Sequence, residues 1–224
     1  MMPRRAGKAF WLSLLGLGIV WLLGDTRLSM TQSFIGGSTF GDGGRLDYTA
    51  NARWILMEIC ALNWMCAINM IPPSAEVCVR YGSMGRLYRA QRGQLYGTLL
   101  TWEFIVVALC LPTDAETWVD IAVYAAHLGC MEISIALLCA CRVKGTLIWI
   151  MAVYTMLFSL ALGWTFPHSV LAHLLSYGMS LRNVNQDTLY GYRVEVALIT
   201  QIAVIICGNI LLRIEFYHWL ERKR

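Results

Sequence analysis

Charge is scarce in this chain: Asp, Glu, Lys and Arg make up only 14% of its residues, against 58% for hydrophobic types. An ordinary soluble domain carries about a quarter charged residues, so this imbalance excludes a simple water-soluble globule. Motifs that carry chemistry are scarce as well. The chain has no Gly-x4-Gly-Lys-Ser/Thr loop, which excludes nucleotide hydrolysis by the P-loop route within this polypeptide. His-Glu-x2-His, Gly-x-Ser-x-Gly and Cys-x2-Cys do not occur. No catalytic residue and no metal site can be named from motifs, and an enzymatic reading depends on scattered polar groups. Asn-x-Ser/Thr and internal repeats are also missing. Cysteine is absent from the connections read below as outside. Cys60, Cys66, Cys110, Cys130, Cys139, Cys141 and Cys207 lie in apolar runs and Cys78 in a basic connection, which speaks against a disulfide framework and for small apolar packing residues.

What the chain does contain is six long apolar runs, at residues 9–24, 54–71, 96–111, 117–141, 146–166 and 196–212. Several come near the roughly 20 residues that cross a bilayer. The first and third are shorter and need flanking side chains that snorkel. The first run has a basic start but no small-x-small cleavage site behind it, so it reads as a transmembrane helix and not as a signal peptide. Lys and Arg collect in alternate connections: Arg4, Arg5 and Lys8 at the start, then Arg80, Arg86, Arg89 and Arg92, then Arg142 and Lys144, and finally Arg222, Lys223 and Arg224. The intervening connections hold Asp25, Asp42 and Asp47, then Asp114 and Glu116, then Asp187. The positive-inside rule makes the basic set cytoplasmic. The expected fold class is therefore all-α: one polytopic membrane domain over residues 1–224 with six transmembrane helices and both termini in the cytoplasm. The net charge of +4 is accounted for by loops that face anionic lipid, with no nucleic-acid partner implied.

Polar groups inside the runs are the candidates for a site, because each costs a few kcal/mol at a helix centre and faces a bundle interior. Glu58 and Asn69 are close to three whole turns apart and share a face. Asp120, Tyr124, His127 and Ser134 fall along one stripe of the fourth run, and Glu132 points away from it. Glu103, Gln201 and Asn209 complete the set. Two readings stand side by side: these groups line a polar path for a cationic or amide-rich substrate, or they hydrogen-bond helix to helix. His127, Cys130 and Glu132 cluster in sequence, but Glu132 sits about 140° around the helix from His127, so the three do not converge on a metal.

Two connections are longer than turns. From Pro72 to Gln94, Val77, Tyr81, Met84, Leu87 and Tyr88 recur near helical spacing among arginines, with Gly82 and Gly85 suggesting a break between two short helices. This predicts a basic amphipathic element on the cytoplasmic interface that binds anionic lipid or a protein partner. From Pro167 to Arg193, the apolar stretch 168–181 is too short to cross and predicts outside re-entrant or interfacial helices. Residues 25–53, rich in Gly, Ser and Thr, predict an irregular outside loop.

Six spans with both ends inside, an amphipathic cytoplasmic element after the second and short outside half-helices before the sixth resemble the permease subunit of a type 2 ABC exporter. The stretch Val79-Arg80-Tyr81-Gly82-Ser83 followed by Arg86 resembles, more narrowly, small permeases associated with bacteriocin or lantibiotic export and self-protection. The resemblance implies a bacterial cytoplasmic-membrane protein without its own nucleotide-binding domain, working as a homodimer or heterodimer. It also implies a separate ATPase subunit that holds ATP and Mg and docks on the cytoplasmic element, with Arg80, Tyr81, Arg86 and Arg89 as coupling residues. Glu58, Asn69, Glu103, Asp120, His127 and Glu132 become the substrate-path candidates. The short first span, with no clear interfacial helix ahead of it, departs from that pattern. Two rivals remain: a membrane accessory or assembly subunit without a transport cycle, and a membrane redox or hydrolytic enzyme using His127, Glu132 and the cysteines.

Overall fold

The computed structural model describes residues 4–22, 48–69, 84–110, 115–141, 145–151, 153–154, 157 and 194–221, and nearly all of them are helical. The long elements are α1 (Arg4–Leu22), α2 (Tyr48–Asn69), α3 (Met84–Cys110), α4 (Ala115–Ala140) and α5 (Val194–Glu221). All five are free of proline, and each is long enough to expose one flank while packing the other. One of them, over Ile121–Ala140, is long and apolar enough to cross a membrane. Gly7–Leu22, Ile55–Ala67 and Leu198–Ile214 are apolar but shorter.

Two boundaries differ from the sequence reading. Gly85, expected at a break, lies inside a helix that runs unbroken from Met84 and carries Arg86, Arg89 and Arg92 straight into the third apolar run, while Gly82 lies outside the described residues. Gly85 costs about 1 kcal/mol inside a helix. Leu87 and Leu95, both buried against the bundle, outweigh that cost. At the other boundary, α2 begins at Tyr48, ahead of the apolar run that starts at residue 54, because a helix needs backbone hydrogen bonds throughout but an apolar flank only where it packs. Arg80, Tyr81, the connection 25–47 and the stretch 168–181 lie outside the described residues.

Cross-helix contacts fix the relative directions of the helices. Asn63 of α2 donates to Ala9 O and to Ser13 Oγ of α1, both at 3.2 Å. Cys60 lies against Gly16, so α1 and α2 are antiparallel. Arg92 meets Glu132 while Trp102 meets Tyr124, which makes α3 antiparallel to α4. Gly129 faces Ile205 and Ile133 faces Gly208, so α4 and α5 run the same way, with the helical residues around 145–157 between them in sequence.

The core joins Leu17 and Val20 of α1, Met57, Ala61, Leu62, Trp64 and Met65 of α2, Leu99, Trp102 and Val106 of α3, and Val123, Tyr124 and Leu128 of α4. An aromatic row crosses it. Phe10 stands edge-on to Trp64 with ring centroids 6.1 Å apart, and Trp64 is 6.1 Å from Trp102. The opposite flanks are apolar too: Trp11, Leu15 and Ile19 of α1, Leu100 and Phe104 of α3, and Ile199, Ile202, Ile206 and Ile210 of α5 are exposed. Apolar flanks of this kind among the described residues, around a core holding charged groups, invert the usual soluble arrangement.

Candidate functional site

Polar side chains meet in two places inside the bundle. The first is an ionic knot between α3, α4 and α5. Arg92 Nη1 and Nη2 donate to Glu132 Oε1 and Oε2, each at 2.8 Å. This fork geometry is the strongest arrangement open to an Arg–carboxylate pair. Arg92 Nη2 also donates to Tyr96 Oη and to Asn209 Oδ1, both at 3.1 Å. Tyr96 Oη donates to Asn209 Oδ1 at 2.9 Å, and Tyr88 Oη to the Asn209 carbonyl at 3.4 Å. The Asn209 amide nitrogen turns back to Ile205 O at 2.8 Å. The guanidinium also sits 4.9 Å from the centre of the Tyr96 ring. Glu132 is 1% exposed and Arg92 8%. Burial works against the Arg92 charge, but the bonds to Glu132 and Tyr96 outweigh it and raise the guanidinium above its ordinary value. Burial likewise pushes the Tyr88 phenol up, with Arg92 pulling the other way.

The second place lies deeper, where α2, α3 and α4 meet. His127 Nε2 is 3.0 Å from Glu58 Oε1, with the two residues 4% and 1% exposed. Tyr124 lies beside the imidazole, ring centroids 6.4 Å apart, and accepts a hydrogen bond from Trp102 Nε1 at 3.2 Å. Glu103 reaches the same region from α3, within electrostatic range of Glu58. Glu103 is half-buried, yet both of its carboxyl oxygens are shielded. Those two oxygens and Glu58 Oε2 have no hydrogen-bond partner among the described residues.

The substrate-path candidates therefore separate. Glu58 and His127 meet, with Glu103 within electrostatic range of Glu58, whereas Glu132 belongs to the ionic knot. Asn69 lies near Glu132 and donates to Met65 O at 3.0 Å. Asp120 is on the first turns of α4. The shared face of Glu58 and Asn69 is the face toward α4, where they meet His127 and Glu132 respectively. His127, Cys130 and Glu132 turn to three different helices: His127 to α2, Glu132 to α3, and Cys130, whose thiol donates to Gln201 O at 3.3 Å, to α5. Among the described residues no set of three His, Cys, Asp or Glu groups could hold a metal ion. Cys60, Cys66, Cys130, Cys139, Cys141 and Cys207 are free thiols.

Of the coupling candidates, Arg86 and Arg89 are exposed at the start of α3, with Arg89 Nε donating to Gly85 O at 3.2 Å. Arg92 is the residue that the sequence reading missed. Its place beside Arg86 and Arg89 suggests one more surface cation, but the four-residue spacing of Tyr88, Arg92 and Tyr96 places the three on one helix face, the face that meets Asn209.

No family model, curated protein or solved structure matches this chain.

Proposed function

We propose that this chain is a six-span membrane permease subunit whose polar interior, at Glu58, Glu103 and His127, lies on the path of a cationic or amide-rich substrate. The observation that carries the reading is the inverted polarity of the bundle: an apolar exterior around carboxylates, an imidazole and a guanidinium that meet in the interior. The helix directions support the six-span count. α1 and α3 run one way, and α2, α4 and α5 the other. That is the alternation expected of spans one, two, three, four and six, with the fifth supplied by the run at 146–166.

A chain without a phosphate-binding loop needs another source of energy for export. On the ABC-exporter reading a separate ATPase supplies it, docking at Arg80, Tyr81, Arg86 and Arg89. The exposed positions of Arg86 and Arg89 at the start of α3 suit that role. Closure of an ATPase against this end would tilt α3 as a rigid body and so reach the interior groups it carries. The test is copurification from the native host. An ATPase subunit is expected to come down with the protein, and changing Arg80 and Tyr81 together to Ala lowers its recovery while membrane insertion is retained. Full complex formation and full transport by that double variant would rule the coupling assignment out.

The accessory-subunit reading has one observation of its own: both Glu132 oxygens are satisfied by Arg92, which is the mark of a structural tie. Glu58→Gln separates the two readings. A path residue loses transport at normal expression, and a packing residue keeps it.

A further inference from the structure

We propose that the outward face of α3 binds a phospholipid with a negatively charged headgroup, seating the phosphate on Arg86 and Arg89 and laying an acyl chain past Gly93 and Gly97 to Leu100. The inference rests on the membrane reading of the bundle and not on the ATPase, for which the same two arginines are docking candidates.

Spacing along α3 defines the face. Arg86, Arg89, Gly93, Gly97, Leu100 and Phe104 follow one another at intervals of three or four residues, which makes them one stripe. All six are exposed, whereas Arg92, Leu95, Leu99 and Trp102 of the same helix are buried against the bundle. The stripe changes chemistry along its length. It begins with two guanidinium groups, passes two glycines that have open space beside them, and ends on Leu100 and Phe104, which are 69% and 73% exposed. Leu100 stands about 16 Å from Arg89 at the helical rise, close to half of the roughly 30 Å hydrocarbon core of a bilayer. A headgroup on the arginines therefore carries its chain along the glycines and brings the chain end to Leu100 and Phe104 near the midplane. Arg89 is steadied for this role: its Nε donates to Gly85 O at 3.2 Å, and its Nη groups are the donors that fit phosphate oxygens.

Charge decides the occupant. A second copy of the chain, inserted in the same orientation, would bring its own Arg86 and Arg89 against these two, a like-charge contact. An anionic cytoplasmic leaflet supplies the opposite sign at the same end of the bundle. A second exposed apolar flank, at Ile202, Ile206 and Ile210 of α5, shows the contrast. It has one exposed cation at its end, Arg213, and branched side chains where α3 has glycine. That flank meets lipid without selecting its headgroup.

The test uses the full chain, without any ATPase, in phosphatidylcholine nanodiscs that carry a trace of photoreactive lipid with a diazirine near the end of one acyl chain. The probe headgroup is phosphatidylglycerol in one sample and phosphatidylcholine in the other, and adducts are mapped by peptide mass spectrometry. Adducts on α3 at residues 96–104 are expected to be several-fold more abundant with the phosphatidylglycerol probe, and those on the α5 flank to differ little between probes. Changing Arg86 and Arg89 together to Gln should bring the α3 ratio down to that of α5. Equal labelling of α3 by the two probes overturns the proposal, as does a preference that is the same on α5 or that survives the double variant. Crosslinking of α3 to a second copy in place of lipid overturns it as well. The wild-type ratio decides the matter even if the double variant fails to accumulate. A lost headgroup preference in correctly inserted protein sinks the lipid site and leaves the permease reading standing, whereas a chain that does not insert at all sinks both.

Discussion

At the scale of the residue, the decisive fact is that buried charges here are assigned partners unequally. Arg92 and Glu132 satisfy one another in a two-pronged bond, so removing either strands the other in a dry interior. We expect Arg92→Leu and Glu132→Leu each to cost about 3–5 kcal/mol, and the double variant to recover most of that loss, because a paired apolar replacement strands nothing. Tyr96→Phe removes one hydroxyl from the knot and should cost only about 0.5–1.5 kcal/mol. Thermal inactivation of the four proteins in one mild detergent checks the order, and a double variant no better than its worse parent would show that the pair is not the source of the loss. Sequence reasoning located Glu58, His127 and Glu132 because an ionisable group in an apolar run stands out from its background. It lost Arg92 because an arginine beside Arg86 and Arg89 looks like one more cytoplasmic cation. Which way a side chain at a span boundary turns depends on the partner it meets, here Glu132, forty positions away.

At the scale of the element, the helices are held together by two different kinds of contact. α4 and α5 approach closely through glycine. A methyl group on Gly208 would stand 2.7 Å from Ile133 Cγ1, and one on Gly129 would stand 2.8 Å from Ile205 Cδ1. The two glycines lie on opposite helices, each receiving an isoleucine from the other, and close backbone approach of this kind drives association where no hydrophobic effect operates. Gly208→Ala is therefore expected to destabilise by about 1–3 kcal/mol, since Ile133, branched at Cβ, has little freedom to withdraw. Ile133→Ala in the same chain should relieve part of it. Gly93 and Gly97 of α3 have open space where a methyl group would go, and Gly93→Ala should instead stabilise by about 0.5–1 kcal/mol through the helix backbone. Unfolding in detergent reads both signs, and equal losses at Gly208 and Gly93 would refute the packing distinction. Helix content was legible from the long apolar runs, and helix ends were not. The continuous α3 from Met84 depends on Leu87 and Tyr88 finding partners in the bundle, which local glycine content does not reveal.

At the scale of the whole molecule, the distribution of charge and the directions of the helices can be combined into one orientation. Lys8 near the start of α1, Arg86 and Arg89 near the start of α3 and Arg213 toward the end of α5 are all exposed or half-buried cations. Given that α1 and α3 run opposite to α5, these four fall at the same end of the bundle. The ionic knot lies toward that end and the Glu58–His127 contact lies deeper, since Glu132 follows His127 along α4. A membrane with a cytoplasmic excess of anionic lipid would hold the cationic end inside, each cation near the surface contributing about 1 kcal/mol. Cysteine introduced at Ser38 or Asn185 should then react with an impermeant thiol reagent applied to intact cells, while cysteine introduced at Ser83 should react only after the cells are opened. The native thiols must be removed first, because Cys141 and Cys207 are exposed on the bundle. Labelling at Ser83 in sealed cells would reverse the orientation and place Arg86 and Arg89 on the wrong side for any cytoplasmic ATPase. Unreactive Ser38 and Asn185 positions with a reactive Ser83 would do so doubly, since the three sites lie in connections that six alternating spans assign to opposite faces.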